Sequence, residues 1–129
     1  MNETTPPKKV FVVEDDVFLS SIITSKIKEH NLDVTPFTTG TDALEAIKTT
    51  VPDIFILDIY LPGINGLEVL KTLRDNESTK HTPVIVVSNT DEKKDRDTAT
   101  SFGAKFIIKA VTDPEDIVKE ITETLAAIK

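Results

Sequence analysis

The chain contains no cysteine, which excludes disulfides, thiol chemistry and cysteine-based metal sites. It has no long apolar run either. The longest are four or five residues, far short of the roughly 20 that a membrane-spanning helix needs. Histidine is scarce, with two residues, His30 and His81, which fall at a helix end and in a loop. A transition-metal site built on histidine is therefore not expected. Basic residues are outnumbered: 15 Lys and Arg stand against 22 Asp and Glu, for a net charge of −7. That balance argues against a nucleic-acid surface, which needs a basic patch. Linkers, internal repeats and low-complexity segments are missing too. Met1 to Lys9 is polar, holds Pro6 and Pro7, and precedes an apolar run too short for a secretory leader. The expectation is a flexible tail over 1–9, one domain over 10–129, and a cytoplasmic protein with no membrane partner.

What is present is enough for one core. At 129 residues, with a hydrophobic share of 39% and a charged share of 29%, the composition is that of an ordinary single globular domain. Val10 to Val13, Ile54 to Leu57 and Val84 to Val87 are continuous apolar runs, and Lys105 to Ile108 is nearly so. Runs of this length and β-branched content suit strands buried on both faces, as in a parallel sheet. A fifth strand, Asp33 to Thr38, contains Pro36 and is expected at an edge.

Helical patterns fill the intervals. Leu19, Ile22, Ile23 and Ile27 make the apolar stripe of a helix over Val17 to His30. Asp42 and Glu45 have the spacing of a capping box for a second helix, and Asn65 and Glu68 that of a third. Asp91 is expected to open a fourth helix with a thin stripe, little more than Ala99 and Phe102, ended by Gly103. Asp113 and Pro114 start a fifth, striped by Ile117, Ile121, Leu125 and Ile128. Strand and helix alternate five times. That predicts an α/β fold, a doubly wound five-stranded parallel sheet with helices on both faces. Right-handed crossovers restrict the strand order without fixing it.

The strand ends carry the chemistry. The first run ends at Glu14 and Asp15, the third at Asp58, the fourth at Ser88 and the fifth at Lys109. In a parallel sheet these ends share one edge, where open α/β folds bind ligands. Three carboxylates, one hydroxyl and one ammonium are thus expected at a single site. Glu14, Asp15 and Asp16 can also be read as a solvated turn with helix-capping acids. Oxygen ligands of this kind suit Mg²⁺, which prefers carboxylates, retained waters and phosphate.

These stretches resemble the receiver domain of two-component response regulators: VFVVEDD at 10–16, ILDIYLPGING at 56–66, VVSN at 86–89 and GAKFIIKA at 103–110. The resemblance implies a flavodoxin-like sheet in the order 2-1-3-4-5. It implies that Glu14, Asp15, Asp58 and the Tyr60 carbonyl hold Mg²⁺ and that Asp58 accepts the phosphoryl group. Ser88 and Lys109 would engage that group, and Phe106 would be an aromatic switch. A histidine kinase or histidine phosphotransfer protein would supply the phosphoryl group. A target would dock on the fourth helix, fifth strand and fifth helix. Such a domain speeds its own phosphorylation and dephosphorylation and is not a conventional enzyme. Four positions depart from the family pattern. Ala110 replaces a proline, which loosens or rearranges the loop after Lys109. Asn89 replaces alanine, Asn65 replaces aspartate, and Phe106 lacks the hydroxyl of a tyrosine. Tyr60 is expected to lie over Asp58 and slow hydrolysis, beside a small, uncharged Thr90. Two other readings compete: a non-phosphorylated interaction module on the receiver fold, and a Mg²⁺-dependent phosphohydrolase. Intact Asp15, Asp58 and Lys109 argue against the first, and the lack of room for a cap against the second.

Overall fold

The computed structural model describes residues 6–89, 91–109 and 112–127. Its elements alternate as the sequence predicts: β1 (Lys9–Val13), α1 (Val17–Lys28), β2 (Asp33–Phe37), α2 (Gly40–Ala46), β3 (Ile54–Asp58), α3 (Gly66–Asp75), β4 (Val84–Ser88), α4 (Lys93–Ser101), β5 (Lys105–Ile108) and α5 (Pro114–Ala126). The five strands form one parallel sheet in the order β2-β1-β3-β4-β5. β2, which carries Pro36, lies at an edge, where a missing N–H need not interrupt a ladder. Among the described residues no helix is long and apolar enough to cross a membrane. Thr90, Ala110, Val111 and Ile128 lie outside the described residues, as does most of the expected tail.

The sheet divides two apolar layers. In β1, β3 and β4 successive side chains point to opposite faces. Val10, Val12, Ile54, Ile56, Ile85 and Val87 face α1 and α5, meeting Ile23, Ile27, Ile117, Val118 and Ile121. Phe11, Val13, Phe55, Leu57, Val84 and Val86 face the other way, toward α2, α3 and α4, and meet Ala43, Val69, Leu70, Leu73 and Ala99. Phe11 makes edge contacts with Phe37 and Phe55 there, at ring separations of 4.8 and 5.7 Å.

Helix starts show where local pattern misleads. The Asn65–Glu68 capping box forms in both directions, and Asp113 caps α5 through the Asp116 amide. Asp42, however, is not the cap of α2. Thr39 is, its hydroxyl accepting from the Asp42 amide at 3.1 Å, so Asp42 lies inside the first turn. Asp91 does not open α4 either. Its carboxylate lies 3.0 Å from the Arg96 guanidinium, and Glu92 occupies the cap position without a side-chain bond. α1 stops at Lys28, short of His30, before Asn31 turns left-handed at φ 61°.

Candidate functional site

The run of three acids after β1 divides its labour. Glu14 turns inward and is buried, Asp15 stays exposed, and Asp16 caps α1 by accepting from the Leu19 amide at 3.1 Å. The turn with a capping acid and the inward acid are both real, carried by different residues. The Glu14 amide donates to the Phe37 carbonyl at 2.9 Å, which pins this loop to the end of β2. Both Glu14 oxygens are used. Oε2 accepts from the Asp16 amide at 3.1 Å and Oε1 from the Lys109 ammonium at 2.6 Å.

Asp58 closes β3 and is 4% exposed. Lys109 Nζ lies 3.3 Å from its Oδ2, while its buried Oδ1 has no hydrogen-bond partner. Behind it the chain folds back tightly. Leu61 and Gly66 both donate to the Ile59 carbonyl, at 3.1 and 2.7 Å. A Cβ on Gly66 would stand 2.0 Å from the Asp58 carbonyl oxygen. The glycine of the 56–66 motif is therefore required by close approach to the Asp58 backbone. Ser88 ends β4 and is fully buried. It sits opposite Ile108 in the ladder, just before Lys109.

Glu14, Asp15 and Asp58 each present a carboxylate oxygen within 4.8 Å of the others. Burial raises the pKa of Glu14 and of Asp58, and the Lys109 ammonium opposes both shifts. Burial pulls Lys109 down, but the hydrogen bond to Glu14 and the charges of Asp58 and Glu14 together leave it above its usual value. One cation thus serves two buried carboxylates while a third waits at the surface. An orphaned Asp58 oxygen beside two further clustered acids fits a hard divalent cation.

Tyr60 is half-exposed, and its hydroxyl donates to Asp95 Oδ2 on α4 at 2.7 Å. No sequence signal pairs residues so far apart. His30 and His81 are exposed and outside the cluster. A cavity of about 610 Å³ opens at the opposite edge of the sheet, lined by Lys8, Asp53, Arg74 and His81 among others, and shares no residue with the cluster.

Comparison with known proteins agrees with this layout. Residues 10–122 match the model of the response regulator receiver domain. "Response regulator ArlR" of Staphylococcus saprophyticus is 30% identical over 117 residues, which is 91% of this chain and 52% of that protein. The chain thus spans about half the length of that relative. "Polar-differentiation response regulator DivK" of Brucella anthropi is 31% identical over 112 residues, 86% of this chain and 91% of that protein. The receiver domain of the Francisella response regulator 1452 superposes with a TM-score of 0.85 at 26% identity, covering 95% of this chain and 99% of that one.

Proposed function

The chain belongs to the response regulator receiver domain family, and from that premise we propose that it is a phosphorylatable signalling switch with Asp58 as its acceptor. One observation carries the proposal. Asp58 is a buried carboxylate with an unpartnered oxygen, and a lysine and two further acids gather beside it at the carboxyl edge of the sheet.

The chemistry follows from that arrangement. An Asp58 oxygen attacks the phosphorus of a phosphohistidine, forming a P–O bond as the P–N bond breaks, and the electron pair leaves on the imidazole. Lys109 lies where its ammonium can pair with a transferring oxygen once it shifts from Asp58 and Glu14. Glu14, Asp15, Asp58 and the Tyr60 carbonyl would hold Mg²⁺, which supplies positive charge to the phosphoryl oxygens. Ser88 donates a hydrogen bond to the bound group, and half-buried Phe106 fills space that this movement opens. A histidine kinase or histidine phosphotransfer protein is the donor in this reading. The face of α4, β5 and α5 meets the target, with no nucleic acid involved. The domain, which takes in Lys9 as the first residue of β1, works in the cytoplasm.

The test is incubation of the full chain with acetyl phosphate and Mg²⁺, followed by intact mass and peptide mapping. A stable phosphoryl adduct on Asp58 supports the switch. Turnover of the donor with no adduct supports a hydrolase. No adduct and no turnover supports an interaction module.

A further inference from the structure

α4 is the helix with the weakest hold on the core. Ala99 is the buried residue it contributes, and its cap residue Glu92 makes no side-chain bond. Side chains from elsewhere tie its two ends. At the carboxyl end Arg74 of α3 donates Nε to the Phe102 carbonyl at 2.7 Å. The same half-buried guanidinium reaches the Thr79 and Thr82 carbonyls through Nη1 at 3.2 and 2.7 Å. At the amino end the Tyr60 hydroxyl donates to Asp95 at 2.7 Å, exposed to solvent, while Arg96 in the same turn pairs locally with Asp91. One end is held by a multiple, part-buried clasp. The other is held by a bond that water can replace.

The two partners of that bond are attached to the two strands that carry the site. Tyr60 lies two residues beyond Asp58, and Asp95 lies seven beyond Ser88. β3 and β4 are neighbours, with Asp58 opposite Val87. The Tyr60–Asp95 bond therefore closes a ring of chain whose other closure is the β3–β4 ladder. Resting on the reading of Asp58 as acceptor, we propose that this bond is a latch. It holds the amino end of α4 to the β3–α3 loop, and phosphoryl loading of Asp58 opens it.

The reason is geometric. Loading engages the Ser88 hydroxyl on one side, while the Tyr60 carbonyl on the other would already be held by Mg²⁺, so one anchor shifts against the other. A hydrogen bond loses its value once its heavy atoms separate beyond about 3.5 Å, a small displacement from 2.7 Å. Release does not unravel the helix. Asp95 lies in the first turn, where the helix dipole stabilises a carboxylate without a partner. The amino end of α4 swings while the Arg74 clasp holds the other end.

The chain has one tyrosine and no tryptophan, so its near-ultraviolet emission comes from Tyr60 alone. A phenol hydrogen-bonded to a carboxylate emits weakly, because the excited phenol gives up its proton to the acceptor. The experiment takes the full chain with Mg²⁺, before and after acetyl phosphate. It reads intact mass, tyrosine emission and amide exchange of the first turn of α4 on the same samples. Asp95→Ala and Tyr60→Phe serve as latch-open references. Loading should raise emission to the level of Asp95→Ala and speed exchange about five-fold, the worth of one modest hydrogen bond. Tyr60→Phe and Asp95→Ala should exchange at the fast rate from the outset, with no further gain on loading. A full phosphoryl adduct with unchanged emission and exchange overturns the latch and leaves the acceptor reading intact. Emission of Asp95→Ala equal to that of the unloaded parent also overturns it. If no adduct forms, the acceptor reading and the latch fall together.

Discussion

Gly66→Ala should loosen the loop that presents Asp58. The added Cβ would stand 2.0 Å from the Asp58 carbonyl oxygen and 2.8 Å from both the carbonyl carbon and Ile59 Cα. All three are backbone atoms at the end of a fully buried strand, so no side chain can yield. Relieving the contact to 3.0 Å requires a shift of at least about 1 Å (3.0 − 2.0). The same shift would stretch the Gly66 amide's 2.7 Å bond to the Ile59 carbonyl past its useful range. Overpacking contributes about 1–3 kcal/mol and the lost bond about 1, against a helix-propensity gain of up to about 1. The net is a destabilisation of about 2 kcal/mol, which lowers a urea midpoint by about 1 M for a domain of this size. Far-ultraviolet circular dichroism in urea measures it, and a Mg²⁺ titration of the folded variant should show weaker binding. A midpoint within error of the parent would refute the reasoning, since the loop would then relax without cost.

Asp58→Asn should stabilise the metal-free domain at neutral pH. Burial raises the Asp58 pKa, so the stability tied to its proton is present below the unfolded value of 3.8 and lost as pH rises through the folded one. The gap between variant and parent in urea midpoints should therefore open with rising pH, and a gap independent of pH would contradict this. Asp15→Asn should weaken Mg²⁺ binding in calorimetric titration without changing stability, because Asp15 is exposed and offers one of three clustered carboxylates; unchanged affinity would place the metal elsewhere. Arg74→Met should destabilise the fold by about 2–3 kcal/mol, since it leaves three carbonyls without their charged donor. A denaturation curve matching the parent's would show that water replaces the clasp.

The convergence of Glu14, Asp15, Asp58, Ser88 and Lys109 was legible because each apolar run ends at a polar residue, and a parallel sheet gathers such ends on one edge. The strand order came only through the resemblance, since crossover handedness leaves several orders open. Which acid does what was not legible. Three adjacent carboxylates look alike in sequence, and only the fold turns Glu14 in and leaves Asp16 to cap α1. The same holds wherever two local partners compete. Thr39 took the cap that Asp42 matched by spacing, and Arg96 drew Asp91 away from opening α4. The Glu14–Lys109 and Tyr60–Asp95 contacts join positions 95 and 35 residues apart, and no local rule reaches that far.

The strict alternation of the central strands limits how such a domain can diverge. Ile54 and Ile56 face one layer while Phe55 and Leu57 face the other. One residue inserted within β3 would exchange the two sets and rotate Asp58 away from Lys109. The same holds for β1 and Glu14. Length is therefore frozen along the strands and, through Gly66, in the return from Asp58 to α3. The opposite edge is constrained in part, since Arg74 fastens the Thr79 and Thr82 carbonyls of the turn into β4. The turn at 49–51, before β3 and far from the acids, is where inserted residues or a fused segment should be accepted with the site left intact.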